Sequence, residues 1–192
     1  MMFKTNKSYT SILNKLLLKL LVNHNLRYFL MNELYVLLGG NLGNREQNLA
    51  QAIKLLEERV GEINGCSSLY ETDAWGKTDQ PDFLNQAVKI NPFKDNAHEI
   101  LADILQIEHE LGRERFERWG ERLIDIDILL LGQSVINTQR LTIPHPELQN
   151  RLFALIPLNE IAASVIHPVY QKTIATLLEE CPDKLEVRKI IQ

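Results

Sequence analysis

Two aspartates, Asp125 and Asp127, stand in an otherwise apolar run, Leu123-Ile124-Asp125-Ile126-Asp127-Ile128-Leu129-Leu130. On a strand, residues two apart share a face with Cα atoms ~6–7 Å apart, so both carboxylates project together. Like charges so placed repel each other and resist burial unless a cation occupies the space between them. Magnesium is the natural candidate, because it takes one or two carboxylates and completes its shell with water and phosphate oxygens. A solvated edge strand would carry the same pair, so the motif alone leaves both readings open. Just upstream, Arg113, Arg115, Arg118 and Arg122 put four guanidinium groups within ten residues, with Trp119 and Gly120 among them. The guanidinium is a planar, permanently charged fork suited to phosphate oxygens. Glu114, Glu117 and Glu121 offer the same arginines a second fate, a solvated and internally paired loop. An arginine-rich loop running into a strand that could hold metal is an arrangement fit for phosphoryl transfer.

Other segments carry less on their own. Gly39-Gly40-Asn41-Leu42-Gly43-Asn44 lies where a strand meets a helix, but it lacks the Lys-Ser/Thr of a P-loop and does not match G-x-G-x-x-G. It reads first as a tight turn, with the helix N-terminus behind it able to face an anion. His145 sits between Pro144 and Pro146, which restrict the backbone and so aim the ring; a structural role is as open to it as a ligand role. Trp75 and Phe83, with Asn85 nearby, could stack a flat heterocycle and bond its edge, or could serve as core.

The elements that must position these residues follow from periodicity. Leu34 to Leu38 is a short apolar run stopped by Gly39-Gly40, as a buried strand would be. Asn44 with Gln47 predicts a helix cap, and Leu49, Ala52, Ile53, Leu56 and Val60 recur at helical spacing until Gly61. Cys66 to Thr72 predicts a second strand, and Phe83 to Ile90 a third, closed by Asn91-Pro92. Ile100, Leu101, Ile104, Ile107 and Leu111 predict a second helix ending at Gly112. Leu123 to Leu131 predicts the next strand, with Gly132-Gln133 turning into Val135-Ile136, and helical segments follow around 151–161 and 173–180. The order strand, helix, strand, strand, helix, strand predicts an α+β, ferredoxin-like antiparallel sheet with helices packed on its faces.

Composition bounds the rest. The chain has 192 residues, enough for one well-filled domain, and its 45% apolar and 24% charged residues are ordinary for a globular protein. Lys4, Lys7, Lys15, Lys19 and Arg27 precede residue 33 and no acid does, which leaves 16 basic against 25 acidic residues, a balance of −9, over 33–192. So acidic a body is a poor general partner for nucleic acid. Cys66 and Cys181 stand far apart with no C-x-x-C, so neither a disulfide framework nor a zinc site is indicated. In residues 1–32, the run Leu16 to Val22 is broken by Lys19 and is far short of the ~20 apolar residues of a membrane span. The segment reads as an N-terminal extension, disordered, cleaved as a transit peptide, or not native ahead of Met31. Residues 33–192 are expected to form a single domain.

Taken in order, several segments resemble the 6-hydroxymethyl-dihydropterin pyrophosphokinases over residues 34 to about 180. They are Gly39-Gly40-Asn41-Leu42-Gly43, Tyr70-Glu71-Thr72, Asp79-Gln80-Pro81-Asp82-Phe83-Leu84-Asn85, Gly112-Arg113, Arg118-Trp119-Gly120, Arg122, Asp125-Ile126-Asp127-Ile128 and Pro144-His145. The resemblance implies an enzyme that moves the β,γ-diphosphate of ATP to the hydroxymethyl group of a reduced pterin, leaving AMP. It implies that Asp125 and Asp127 bind two Mg²⁺ ions and that Arg113 and Arg122 neutralise the transferring group. It further implies a nucleotide pocket of Glu108, Arg113, Arg115, Trp119, Arg122, Ile128, Arg140, Thr142, His145 and Arg151. Thr72, Trp75, Phe83, Asn85, Asp125 and Phe153 would hold the pterin. A cytoplasmic monomer acting on ATP and the pterin alcohol, without nucleic acid or membrane, is expected. Two rival readings are a catalytically silent nucleotide-binding module on the same fold and an RNA-binding domain of ferredoxin-like topology. The intact acid and arginine set argues against the first, and the acidic body and lack of paired RNA-stacking aromatics against the second.

Overall fold

The computed structural model describes residues 33–73, 80–112 and 121–191; the extension 1–32 lies outside them. Strand β1 (Leu34–Gly40) is buried along its whole length, which is why its sequence shows no polar alternation. It leads into helix α1 (Arg45–Arg59), whose N-cap Asn44 accepts the Gln47 N–H through its side chain at 3.1 Å. That bond satisfies one of the backbone donors orphaned at a helix start. Strands β2 (Gly61–Cys66) and β3 (Tyr70–Thr72) precede the long β4 (Phe83–Pro92). Helix α2 (Ala97–Glu110) follows, capped by Asn96, and then β5 (Asp125–Leu131). A hairpin of β6 (Ile136–Asn137) and β7 (Thr142–Ile143), helices α3 (Leu152–Ala162) and α4 (Ile174–Glu179), and β8 (Val187–Lys189) complete the chain.

The sheet runs β5-β1-β4-β3-β8, with β2 also on β4, and every described pairing is antiparallel. The antiparallel sheet with helices on its faces is the α+β arrangement expected, with β8 added at its edge, and it places β1 between the acid-bearing β5 and β4. Side-chain alternation divides the core in two. Leu34, Val36, Leu38, Val88, Ile126 and Ile128 face α1 and α2, whereas Tyr35, Leu37, Ala87, Leu129 and Leu130 face α3 and α4. Leu129 and Leu130 point the same way because the β1–β5 register shifts between Tyr35 and Val36. One bulge thus lets an unbroken apolar run feed both cores and sets the phase of the aspartates before it.

Three details differ from the sequence expectation. Of the strand predicted over Cys66 to Thr72, only Tyr70–Thr72 forms β3, while Cys66 ends a strand that begins at Gly61; at Ser67 the side chain enters the ladder, its Oγ accepting the Ala87 N–H at 2.9 Å and donating to Ser68 O at 2.8 Å. Gly61 opens β2 rather than merely stopping α1. A Cβ there would lie 2.2 Å from Asn91 O, so only glycine permits the approach to β4. β8 was not anticipated at all; it is three residues long and pairs only with β3 among the described strands. Its anchor on α3 is Glu160, whose carboxylate takes Ser68 N–H, Ser68 Oγ, Tyr70 Oη and Lys189 Nζ within 2.8–3.0 Å. No described helix is long and apolar enough to cross a membrane.

Candidate functional site

The register places the sequence-selected residues in rows. Asn85 on β4 pairs with Tyr70 on β3 and with Gly39 on β1, and Gly39 pairs with Asp125 on β5. One row therefore reads Tyr70, Asn85, Gly39, Asp125 across four strands. The next row out pairs Thr72 with Phe83, and the next row in holds Ala87, Leu37 and Asp127. All of these point to the face carrying α3 and α4, since Leu37 and Ala87 belong to that core. Strands lie ~4.8 Å apart, so the glycine leaves a gap of roughly two strand spacings between the Asn85 amide and the Asp125 carboxylate. A Cβ at Gly39 would already touch Asn85 Oδ1 at 3.1 Å. The absence of a side chain there opens the slot.

Thr72 and Asn85 are both buried, and Asn85 Nδ2 donates to Thr72 Oγ1 at 3.0 Å. Polar groups kept this dry need partners, and the bond fixes the amide plane at one end of the slot. Phe83 and Phe153 are half-buried. Phe153 sits in the first turn of α3, and the Arg151 guanidinium lies 5.6 Å from its ring centroid, within cation–π range.

At the other end, Asp125 and Asp127 are partly exposed. Arg122 Nη1 forms an ion pair with Asp125 Oδ2, both side chains being less than a quarter exposed. Beneath them the Glu108 carboxylate, only 2% exposed, accepts the Ile126 N–H at 2.7 Å. Ile126 is the residue between the two aspartates, so a buried acid from α2 fixes the backbone that carries both. Glu108→Ala would leave that buried N–H without this acceptor, at a cost of ~1–3 kcal/mol. The expected result is a melting temperature lower by ~3–10 °C in a thermal unfolding scan, with Glu108→Gln, which retains an acceptor oxygen, restoring most of it. An unchanged melting temperature in the Ala variant would count against this role.

His145 is half-buried; its N–H donates to Leu129 O at 2.9 Å and its Nδ1 accepts the Glu147 N–H at 3.2 Å. With Nδ1 accepting, the neutral ring carries its proton on Nε2 and is a donor there. Burial first, and then the positive charge of Arg151, hold the imidazole down to about 4, against the opposing pull of Glu147 and Asp125. The folded ring is thus neutral at pH 7, whereas an unfolded histidine protonates near ~6.5. Between those values the unfolded chain binds more protons, so this group's contribution to stability is complete above ~6.5 and declines as pH falls toward 4. An NMR titration of His145 is expected to give a midpoint below 5; a midpoint near the ordinary histidine value would refute the buried, neutral assignment.

The remaining residues divide. Ile128 is buried in the core facing α1 and α2, on the side opposite the aspartates, so any contact it makes with a nucleotide falls to its backbone. Arg140 and Thr142 are exposed, at the turn and start of β7. Trp75, Arg113, Arg115 and Trp119 lie outside the described residues. No group of three or more His, Cys, Asp or Glu suited to a metal occurs among the described residues. Asp125 and Asp127, two carboxylates on one face of β5, form a donor set that would fit an ion completed by water and substrate oxygens. A cleft of about 850 Å³ between the start of α1, residues 67–69 and the C-terminal strand includes none of these residues.

Residues 35–163 match the family described as 7,8-dihydro-6-hydroxymethylpterin-pyrophosphokinase. The chain is 47% identical over 139 residues to a protein of Bacillus subtilis named 2-amino-4-hydroxy-6-hydroxymethyldihydropteridine pyrophosphokinase, covering 70% of this chain and 80% of that one. It is 44% identical over 142 residues to a protein of the same name from Aquifex aeolicus, covering 74% and 88%. In fold it is similar to the Plasmodium falciparum HPPK-DHPS, with a TM-score of 0.64 at 20% identity over 78% of this chain. The matched part is 44% of that longer solved chain.

Proposed function

Because this chain belongs to the 7,8-dihydro-6-hydroxymethylpterin-pyrophosphokinase family, it is a pyrophosphokinase of folate biosynthesis, and we propose that Asp125 and Asp127 are the ligands through which it uses ATP. In this reading the β,γ-diphosphate of ATP passes to the hydroxymethyl group of 6-hydroxymethyl-7,8-dihydropterin, giving the pterin diphosphate and AMP. The reading rests on one observation above others: Asn85, the bare Gly39 and Asp125 share a row, with Arg122 paired to the aspartate. A flat ring bonded at the Asn85 end of that slot would direct a substituent toward the carboxylate end.

Asp125 and Asp127 would hold two magnesium ions together with the phosphate oxygens of ATP. When bound, these ions draw charge from the phosphates and help orient the attacking hydroxyl. Arg122, and Arg113 by family resemblance, would neutralise the diphosphate as it transfers. Phosphoryl transfer needs chiefly in-line positioning and charge neutralisation, so no protein nucleophile is required. Thr72, Phe83, Asn85 and Phe153, with Trp75, would hold the pterin. His145, neutral and with a proton on Nε2, would serve as a donor to the nucleotide beside Arg151, and Glu108 would support the strand beneath. Arg115, Trp119, Ile128, Arg140 and Thr142 would complete the nucleotide pocket. All the residues of the row come from one chain, so a monomer suffices. The setting is taken as cytoplasmic, without a membrane partner, and the acidic balance of residues 33–192 disfavours nucleic acid as a partner.

The test is incubation of the full chain with Mg²⁺, ATP and the reduced pterin alcohol, followed by chromatography for AMP and a pterin diphosphate. ADP in place of AMP would mean ordinary monophosphoryl transfer and would overturn the reading.

A further inference from the structure

Asn41 stands immediately after β1 and is 3% exposed. Its backbone N–H donates to Arg122 O at 3.0 Å, and its side-chain Oδ1 accepts the Arg122 N–H at 2.9 Å. Those two bonds clasp both backbone groups of Arg122 as a strand partner would. The opposite end of the same amide points elsewhere: Nδ2 donates to Pro81 O at 3.2 Å and to Gln80 Oε1 at 3.4 Å. Residues 80–82 run directly into β4, where Phe83 and Asn85 stand. At Gly40, the residue before it, a Cβ would lie 2.5 Å from Leu123 O, so the 122–123 backbone is pressed against the end of β1.

From this we infer that Asn41 is a positioning residue that sets the arginine of the transfer site and the segment leading to the pterin residues with one side chain. The inference rests on the pyrophosphokinase reading for what those two segments do. Its physical content is independent: the acceptor end of the amide is committed to Arg122 and the donor end to residues 80 and 81. Pro81 O can only accept and the Arg122 N–H can only donate, so those two contacts cannot exchange roles. An amide is the one uncharged side chain of this length that presents an acceptor and a donor on opposite sides of a single plane. Aspartate has the same shape but two acceptors, and so separates the two functions.

The experiment compares steady-state kinetics of the parent chain, Asn41→Asp and Asn41→Ala with both substrates varied, alongside thermal unfolding. Asn41→Asp keeps the acceptor for Arg122 but turns an oxygen toward Pro81 O, which has no proton to give. It is expected to raise the pterin KM by about tenfold or more while kcat and the ATP KM stay within about threefold. Asn41→Ala removes both arms and is expected to lower kcat by about tenfold or more as well as raising the pterin KM. A purely structural role predicts no such split. If Asn41→Asp alters kcat and both KM values as Asn41→Ala does, or if both variants behave as the parent, the inference is overturned. Should the Asp variant be unfolded at the assay temperature, Asn41→Ser is measured instead; it is too short for either arm, and parent-like kinetics would overturn the inference equally. Failure of the pyrophosphokinase reading is seen separately, as absence of AMP from the parent chain. In that event equilibrium binding of the pterin, followed by fluorescence, is still expected to weaken about tenfold in Asn41→Asp, and unchanged binding would refute the role of Asn41.

Discussion

Asp127→Ala is expected to lower kcat by ~10³-fold or more, with the fold retained. Stabilisation of developing phosphate charge by bound metal amounts to several kcal/mol, and each ~1.4 kcal/mol is tenfold in rate. Asp127 is partly exposed and pairs across the sheet with Leu37, so truncation opens no cavity in the core and need not unfold the chain. Asp125 remains, but a single carboxylate cannot hold two ions at once in the arrangement two acids allow. The check is AMP formation at saturating ATP and pterin across a range of Mg²⁺ concentrations. Partial recovery at high Mg²⁺ is the expected signature, because a weakened site is refilled by mass action. AMP formation at the parent rate at low Mg²⁺ would sink the metal assignment.

The second large effect is expected at Arg122. Arg122→Ala should lower kcat by ~10²–10³-fold, the scale seen when one preorganised donor to developing negative charge is removed. Two features make this residue more than a solvated cation. Its backbone is clasped by Asn41, and its guanidinium is ion-paired to Asp125, so the charge is held in place before substrate arrives and little reorganisation remains during reaction. Arg122→Lys keeps the charge but loses the fork, and is expected to recover only part of the rate, remaining about tenfold or more below the parent. Equal activity in the Lys variant and the parent would mean that charge alone, without geometry, is what the site requires. Unchanged kcat in the Ala variant would remove Arg122 from the transfer step.

Much of the candidate site could be proposed from sequence because its chemistry is written in residue types that are costly to misplace. Two acids at i and i+2 in an apolar run have few uses, and an arginine-rich loop before them narrows those uses further. The helices were legible for a similar reason: Asn44 caps α1 as its spacing with Gln47 suggests, and the buried positions Leu49, Ala52 and Leu56 fall where the periodicity puts them. Where the chain departs from simple patterning, the sequence misled. Ser67 uses its hydroxyl in place of a regular ladder bond, so the strand predicted from Cys66 is interrupted until Tyr70, and β2 starts five residues earlier, at Gly61. β8 is three residues of half-buried or exposed side chains, and its position comes from β3 and the Glu160 anchor rather than from any pattern of its own.

Two contacts escaped for a subtler reason. Glu108 lies on the apolar face of α2, four residues after Ile104, and an acid at such a position is a signal that its charge has a buried partner. That the partner is the Ile126 N–H, 18 residues away and between the two aspartates, could not be read from spacing. Asn41 was hidden inside a glycine-rich turn, where an asparagine is unremarkable; its role exists only because residues 80–82 and 122 are brought to it from 39 to 81 positions along the chain.

By itself, then, the sequence determined which chemistry is present: paired carboxylates on one strand, guanidinium groups beside them, an apolar frame of ferredoxin-like order, and an acidic balance over residues 33–192. Those are properties of residue type and local period, and they survive without knowledge of what packs on what. The tertiary structure alone decided which residues share a row. The β1 register sets Gly39 between Asn85 and Asp125, and the bulge opposite Tyr35 and Val36 turns both aspartates to the face of α3. Register is a long-range quantity: a slip of one residue would send every side chain of β5 to the opposite face. What prevents it is the partition of Ile126 and Ile128 into one core and Leu129 and Leu130 into the other, a burial preference that exists only once both helical layers are in place.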